Sequence, residues 1–229
     1  MSEQLMKPIE IRNSEVLESL NNFSWMYDRR HEIEKVYYRS GLNRTLEQET
    51  SEEALDRIRE MGTKHDGYPE KVRAYNLSAK QLHLANPDEG HDLAREMLAA
   101  YGRSTENIML ALNTRLNALC SLYPPEGYIS WHNNANCPGY NLIFTWSETG
   151  DGSFSYWDTK EERIVEIPDK KGWQCKGAYF GSYQEDPEKL VYHSAKTRCW
   201  RYTVSFVYDW TEMSTGIHEE IMEEIATDM

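Results

Sequence analysis

Two histidines and one asparagine are the residues of this chain whose types and spacing best suit metal chemistry. His132 ends an extended run that begins at Tyr128, and Asn134 follows two residues later. Positions two apart on a strand share a face, so both side chains can point at the same atom. His193 lies in a second run of strand character and can approach from there. Two imidazoles and one oxygen ligand form a facial set that binds Fe(II), which makes His132, Asn134 and His193 a candidate metal site.

Six short motifs surround these residues in a definite order. They are Tyr123, Gly127, His132-Asn133-Asn134, Gly150 to Asp158, His193, and Arg201 to Tyr208. Each motif alone is common, and the comparison rests on their order and spacing. Over roughly residues 116–210, this order resembles the prolyl-4-hydroxylase-like branch of the 2-oxoglutarate/Fe(II)-dependent oxygenase superfamily.

The resemblance implies a cofactor set and a role for several residues. It implies Fe(II), with 2-oxoglutarate as cosubstrate and O2 as oxidant, and hydroxylation of an unactivated C–H bond as 2-oxoglutarate is decarboxylated to succinate. Arg201 would fork onto the distal carboxylate of 2-oxoglutarate, a bidentate geometry that suits a guanidinium group. Tyr123 and Thr203 would donate their hydroxyls to the same carboxylate. Without the resemblance, a surface salt bridge is the simpler role for Arg201.

Asn134 departs from the family pattern, which has a metal-binding Asp at this position. An amide offers only a neutral carbonyl oxygen in place of a charged carboxylate. Three readings follow. The amide oxygen ligates Fe(II) in a functional hydroxylase; or water or halide fills the position, as in halogenases that lack the carboxylate; or the chain is a catalytically inactive barrel that binds a metal or ligand. The first reading is the one we favour, because Asn is bulkier than the small residue of halogenases.

The elements that must position these residues are short strands separated by turn-forming residues. Alternating and apolar runs bounded by Pro, Gly and Asp predict strands at about 116–123, 127–132, 140–147, 152–157, 162–167, 175–181, 189–194 and 200–208. Eight short strands suggest a jelly roll whose mouth can house a metal and a small ligand. The predicted fold class is therefore α+β: a double-stranded β-helix (jelly-roll, cupin-like) core with N-terminal helices packed on it and a short C-terminal helix.

The flanking segments predict helices. Asn13-Ser14 favours one N-cap, and Thr50-Ser-Glu-Glu53 has the pattern of a capping box before a second helix. A third helix is predicted over 89–101, with Gly102 as its stop. Ile217, Ile221 and Ile225 form an apolar stripe on an acidic C-terminal helix, which we expect to dock onto the body. The predicted organisation is a mainly helical part at 1–103, the jelly-roll core at 104–211 and the terminal helix at 212–229.

Composition limits the function classes. The 25 Lys and Arg against 38 Asp and Glu give a formal charge of -13, which disfavours nucleic acid and anionic membranes as partners. There is no apolar run long enough to span a bilayer and no signal-peptide core, so we expect a cytoplasmic protein. The four Cys lack a metal or disulfide spacing and are expected to be free thiols. A small molecule or peptide is the expected substrate, and the sequence leaves the oligomeric state open.

Overall fold

The computed structural model describes residues 5–37, 45–78 and 87–228. Its helices are α1 (Ser14–Asn21), α2 (Trp25–Asp28), α3 (Arg30–Tyr37), α4 (Leu46–Glu49), α5 (Glu52–Met61), α6 (Pro87–Ala111) and α7 (Thr215–Ala226). Its strands are β1 (Val72–Arg73), β2 (Tyr75–Asn76), β3 (Leu116–Tyr123), β4 (Gly127–His132), β5 (Gly139–Ser147), β6 (Gly152–Asp158), β7 (Arg163–Pro168), β8 (Gly172–Phe180), β9 (His193–Thr197) and β10 (Arg201–Asp209). Within these ranges, no helix is long and apolar enough to cross a membrane.

Two antiparallel sheets form the core. The smaller sheet by residue count has the strand order β1-β4-β9-β6-β7, and the larger has the order β2-β3-β10-β5-β8. Apolar side chains from both sheets pack together between them, among them Ile143, Phe154 and Phe180. This confirms the predicted fold class, a jelly-roll core with helices packed on it and a helix at the C-terminal end. Each of the eight predicted strands overlaps one of β3 to β10.

Helices cover the outer face of the larger sheet. Alternation along β10 sends Val204 and Phe206 outward, where they join residues of several helices such as Leu20 of α1, Ile108 of α6 and Ile225 of α7. The expected docking of α7 onto the body is therefore confirmed. On the outer face of the other sheet, α5 packs through Leu55 and Ile58 against strand residues that include Trp131 and Trp157.

The same alternation gives the space between the sheets a polar side. Along β10, Arg201, Thr203 and Ser205 face inward and are buried. Thr145 of β5 is within hydrogen-bonding distance of Arg201, at 3.4 Å from its Nη2, and is fully buried. A jelly roll with charged and hydroxyl side chains in its interior is suited to hold a polar ligand rather than only to pack.

Several local predictions need correction. Gly102 does not end a helix, because α6 runs through it to Ala111. The cost of one glycine inside a helix is only about 1 kcal/mol, and burial of Met97 and Ile108 on the same helix outweighs it. Ser51, not Thr50, caps α5 by accepting from the Ala54 amide, and the complete capping box belongs to Thr45 and Gln48 of α4.

The strand that carries the second candidate ligand also begins later than predicted. β9 starts at His193 rather than near residue 189, because Pro187–Lys189 forms a 3-10 turn. The candidate histidine thus stands at the first position of its strand, at the edge of the paired region.

Candidate metal and cosubstrate site

The two candidate histidines lie side by side across neighbouring strands. His132 ends β4 and His193 begins β9, and the two residues are paired in the antiparallel register. Their ring centroids are 4.0 Å apart. Both side chains are buried, with 4% and 6% of their surface exposed. The sheet therefore brings together two imidazoles that are 61 positions apart in the chain.

Backbone carbonyls orient both rings in the same way. Nδ1 of His132 lies 2.8 Å from the carbonyl oxygen of Ser130, and Nδ1 of His193 lies 2.8 Å from that of Val191. A carbonyl only accepts hydrogen bonds, so each Nδ1 carries the proton and each Nε2 keeps a free electron pair. This is the tautomer in which histidine binds a metal through Nε2.

The surroundings also keep both rings neutral. Burial and then the neighbouring His193 lower the pKa of His132 well below its usual value. Burial lowers the pKa of His193 to about 4. At neutral pH the pair is therefore uncharged, and both rings can bind a cation without first losing a proton.

Asn134 stands beside the histidine pair. Its Nδ2 lies 3.4 Å from Nε2 of His193. Its backbone has a φ of 54°, a left-handed conformation that Asn tolerates better than most residues, and its amide N–H donates to Gly67 O at 2.9 Å. A half-turn of the side-chain amide would present the oxygen in place of the nitrogen.

These residues fit a divalent metal through two neutral imidazoles and one amide oxygen. Among the described residues, no group of three or more His, Cys, Asp or Glu side chains could hold a metal. The third protein ligand, if there is one, must therefore come from another residue type, and Asn134 is in reach of His193. The sequence signal for this site was the His-x-Asn spacing together with the later histidine.

A third histidine lies in the loop between α5 and β1, where no sequence motif predicted a role for it. His65 is only 3% exposed. Its Nδ1 accepts from the Gly67 amide at 3.1 Å, and its Nε2 has no hydrogen-bond partner in the described part of the chain. A charge on His65 would further lower the pKa of His132. The turn residue Gly67, which packs against the backbone of Ala135, was the available signal that this loop folds onto the site.

The three residues assigned to the cosubstrate also meet inside the barrel. Arg201 of β10 is paired with Tyr123 of β3, and its guanidinium carbon lies 5.1 Å from the Tyr123 ring centroid. Nη1 of Arg201 donates to Thr203 Oγ1 at 2.7 Å. All three side chains are buried. Burial raises the pKa of Tyr123, which keeps its hydroxyl protonated and able to donate.

Arg201 already holds a carboxylate of this chain. Its Nε donates to Asp169 Oδ2 at 2.8 Å, and both side chains are almost completely buried. Gln174 Nε2 donates to the other oxygen of Asp169 at 2.7 Å. Although burial alone would lower it, the attraction of Asp169 raises the pKa of Arg201. Asp169 directly follows β7, and no local sequence pattern indicates that it reaches the barrel interior.

Comparisons with known proteins show a weak similarity of this chain to several solved structures. No family model matches the chain, and no curated protein matches it. A prolyl-4-hydroxylase from Pseudomonas putida is 10% identical with a TM-score of 0.41, covering 90% of this chain and 92% of that one. A Trichoplax adhaerens prolyl hydroxylase, solved in complex with a hypoxia inducible factor peptide fragment, is 13% identical with a TM-score of 0.41. The match covers 96% of this chain and 86% of that one. A Burkholderia pseudomallei oxidoreductase of the 2OG-Fe(II) oxygenase family is 14% identical with a TM-score of 0.33. The match covers 53% of this chain and 58% of that one. Likeness at this level assigns neither a reaction nor a substrate.

Proposed function

We propose that this protein is a non-haem Fe(II)/2-oxoglutarate-dependent oxygenase that hydroxylates an unactivated C–H bond. One observation carries the proposal: His132 and His193 are buried, neutral and paired across two strands, with both Nδ1 protons committed to backbone carbonyls. Paired imidazoles held in one tautomer are what a metal site needs, and they serve no evident packing purpose that apolar residues would not serve better. The motif order of the sequence supports the same class.

Each residue of the site has a role in this proposal. His132 and His193 hold the metal, and the amide oxygen of Asn134 completes the protein ligands. Fe(II) with 2-oxoglutarate and O2 would supply the oxidising chemistry, with succinate and CO2 as the products of the cosubstrate. Tyr123 and Thr203 offer hydroxyl donors in the interior between the sheets. The buried walls exclude bulk water and place the bound molecule, which decides the C–H bond that reacts.

The substrate is proposed only as a class. A small molecule or a peptide fits an acidic protein with a formal charge of -13, whereas nucleic acid would be repelled. The intracellular location proposed for this enzyme is the cytoplasm, where reduced iron and free thiols are maintained. The four cysteines are free, three of them buried and Cys137 exposed.

A second candidate is a catalytically inactive barrel that binds a metal or ligand. The Arg201–Asp169 pair favours the inactive barrel. The Asp169 carboxylate already accepts a hydrogen bond from the Arg201 guanidinium, the group that binds 2-oxoglutarate in the family. The neutral Asn134 in the carboxylate position favours it as well. Halogenation is the remaining alternative, and it requires chloride to take the place of Asn134 at the metal.

Turnover of the cosubstrate separates these candidates. The oxygenase proposal predicts that the protein with Fe(II) and O2 converts 2-oxoglutarate to succinate, slowly without a primary substrate, and that His132→Ala and His193→Ala abolish the reaction. Quantitative detection of succinate against a no-iron control is the measurement. Absence of succinate in protein shown to contain iron would favour the binding barrel, and chloride dependence of product formation would favour the halogenase.

A further inference from the structure

Lys176 is a buried cation that forms no hydrogen bond or ion pair within the described structure. It lies on β8, is fully buried, and its Nζ has no hydrogen-bond partner among the described residues. Lysine usually keeps its ammonium in water, even when its stem is covered. A polar group withdrawn from water without a partner is destabilising, and a charged group more so. The residue therefore needs an explanation other than packing.

The side chain extends across the space between the sheets. Its strand neighbour Cys175 joins the helix-covered cluster, so alternation turns Lys176 to the inner face. There its Nζ lies 5.2 Å from the centroid of the Phe154 ring, which belongs to β6 of the opposite sheet. The contact with an aromatic face is favourable to a cation but does not neutralise it.

Of the two buried Lys and Arg side chains in the described part of the chain, Lys176 is the one without an ion pair. Arg201, the other inward cation discussed above, is paired with Asp169 through Nε and bonded to Thr203 through Nη1. The charges of both Arg201 and Asp169 act on the pKa of Lys176, yet Lys176 forms no ion pair with Asp169. Two cations thus share one carboxylate, which leaves one positive charge in excess when Lys176 is protonated. Burial lowers the pKa of Lys176 to about 8, so it is mostly protonated at pH 7.

Phe154 connects this ammonium to the candidate metal site. Its ring stacks on His193 with a centroid separation of 5.6 Å. The same ring therefore contacts a metal-binding histidine and the ammonium of Lys176. A molecule that lies along Phe154 can have one end at the metal and the other at Lys176.

From this arrangement we propose that Lys176, rather than Arg201, anchors the distal carboxylate of a dicarboxylic 2-oxo acid bound at His132 and His193. The inference rests on the proposed function, since it takes the metal end of the ligand from there. The Arg201–Asp169 pair is then a structural part of the barrel wall. The carboxylate would supply the anion that Lys176 lacks, as a charge-assisted hydrogen bond in a buried setting.

The test compares two ligands that differ in the distal carboxylate. Calorimetric titration of 2-oxoglutarate and of 2-oxopentanoate into the anaerobic Fe(II)-loaded protein measures how strongly that carboxylate is recognised. The proposal predicts that 2-oxoglutarate binds about 10- to 100-fold more tightly than 2-oxopentanoate, the range expected for a hydrogen bond between charged groups. In Lys176→Met this preference should disappear, while 2-oxopentanoate should bind as before.

Two further variants serve as a control for the loss of a lysine and as a test of Arg201 as the alternative anchor. Lys196→Met removes a lysine whose partner is Glu166 on the outer surface, and it should keep the preference for 2-oxoglutarate. The double variant Asp169→Asn with Arg201→Gln removes the internal ion pair together, and it should also keep the preference. Circular dichroism establishes that each variant is folded.

The possible results separate this inference from the proposed function. If neither acid binds the wild-type protein, the proposed function fails and the inference fails with it. If both acids bind equally well, the metal site stands and the anchor is overturned. If Lys176→Met keeps the preference while the double variant loses it, Arg201 is the anchor and the proposal is wrong.

Discussion

At the scale of single residues, the site depends on whether Asn134 contributes an oxygen to the metal. Its side-chain amide lies beside Nε2 of His193, and a carboxylate in the same place would add a negative charge to the ligand set. We expect Asn134→Asp to bind Fe(II) about tenfold more tightly or better, measured by competition with a chelator.

Asn136→Asp is the matched control for this change. It adds the same charge two residues further on, at an exposed position, and should leave the affinity nearly unchanged. Equal affinity of Asn134→Asp and wild type would show that residue 134 does not ligate the metal.

Lys176 makes stability depend on pH in the alkaline range. Its pKa is about 8 in the folded protein against 10.5 as its ordinary value, under the influence of burial and of Asp169, Arg201 and Cys175. Between these values the unfolded chain binds more protons than the folded one, so the free energy of unfolding rises as pH increases. Lys176→Met should therefore be more stable than wild type at pH 7, by about 3 kcal/mol at most, and the gain should shrink between pH 8 and 10.5.

Urea unfolding of both proteins at pH 7, 8.5 and 10 measures this difference. A gain that stays constant over the whole pH range would mean that the ammonium of Lys176 is already compensated in the folded protein. Loss of stability in Lys176→Met at pH 7 would contradict the account of an unneutralised cation.

The sequence could indicate some of these residues and not others. His132, His193 and Arg201 belong to short motifs whose order is informative. Asp169 and Lys176 follow no motif, since Asp169 sits in a turn and Lys176 alternates with apolar neighbours on a strand. The strand register places Lys176 between the sheets, and the ion pair with Arg201 places Asp169 there.

At the scale of elements, α7 is held to the body by apolar contacts and backbone hydrogen bonds. Ile225 is fully buried, and its carbonyl accepts from the amides of Arg12 and Asn13. We expect Ile225→Ala to lower the free energy of unfolding by about 2–5 kcal/mol. Ile217→Ala, at a position 45% exposed, should change it by about 0.5 kcal/mol or less. Urea unfolding of the two variants compares them, and equal effects would mean that α7 does not contribute to the core as described.

Helix α6 offers an independent check. Gly102 lies in its interior, is exposed, and has open space where a Cβ would be. Gly102→Ala should therefore stabilise the protein by about 0.5–1 kcal/mol in thermal or urea unfolding. By contrast, Gly177→Ala would bring a Cβ within 2.8 Å of the Tyr140 hydroxyl and should destabilise the protein. A destabilising Gly102→Ala would indicate that the helix ends at Gly102, as the sequence pattern first suggested.

Local sequence patterns predict the strands of this fold, whereas long-range packing sets the limits of α6 and β9. The strands were predictable because turn residues punctuate alternating runs, as at Gly150 and Pro168. The continuation of α6 through Gly102 was not, because tertiary burial of residues beyond it outweighs the local propensity. The late start of β9 was missed because the strand limit depends on pairing with β4, which is a long-range contact.

At the scale of the whole molecule, the two sheets give the chain one face for packing and one interior for chemistry. Helices cover the outer faces, whereas the buried interior contains Arg201, Asp169, Thr203 and Lys176 as well as the histidine pair. This division predicts that substitutions on the outer faces change stability alone, whereas substitutions at His132, His193 and Lys176 change ligand binding as well. The central claim is that the interior holds Fe(II) and 2-oxoglutarate together.

The most direct test of that claim is anaerobic addition of Fe(II) and 2-oxoglutarate to metal-free protein, followed by visible spectroscopy. The account predicts a weak charge-transfer band from the chelate that 2-oxoglutarate forms with protein-bound iron. The band should be abolished in His132→Ala and retained in Lys196→Met. Absence of the band at saturating Fe(II) and 2-oxoglutarate would contradict the account and favour the inactive binding barrel.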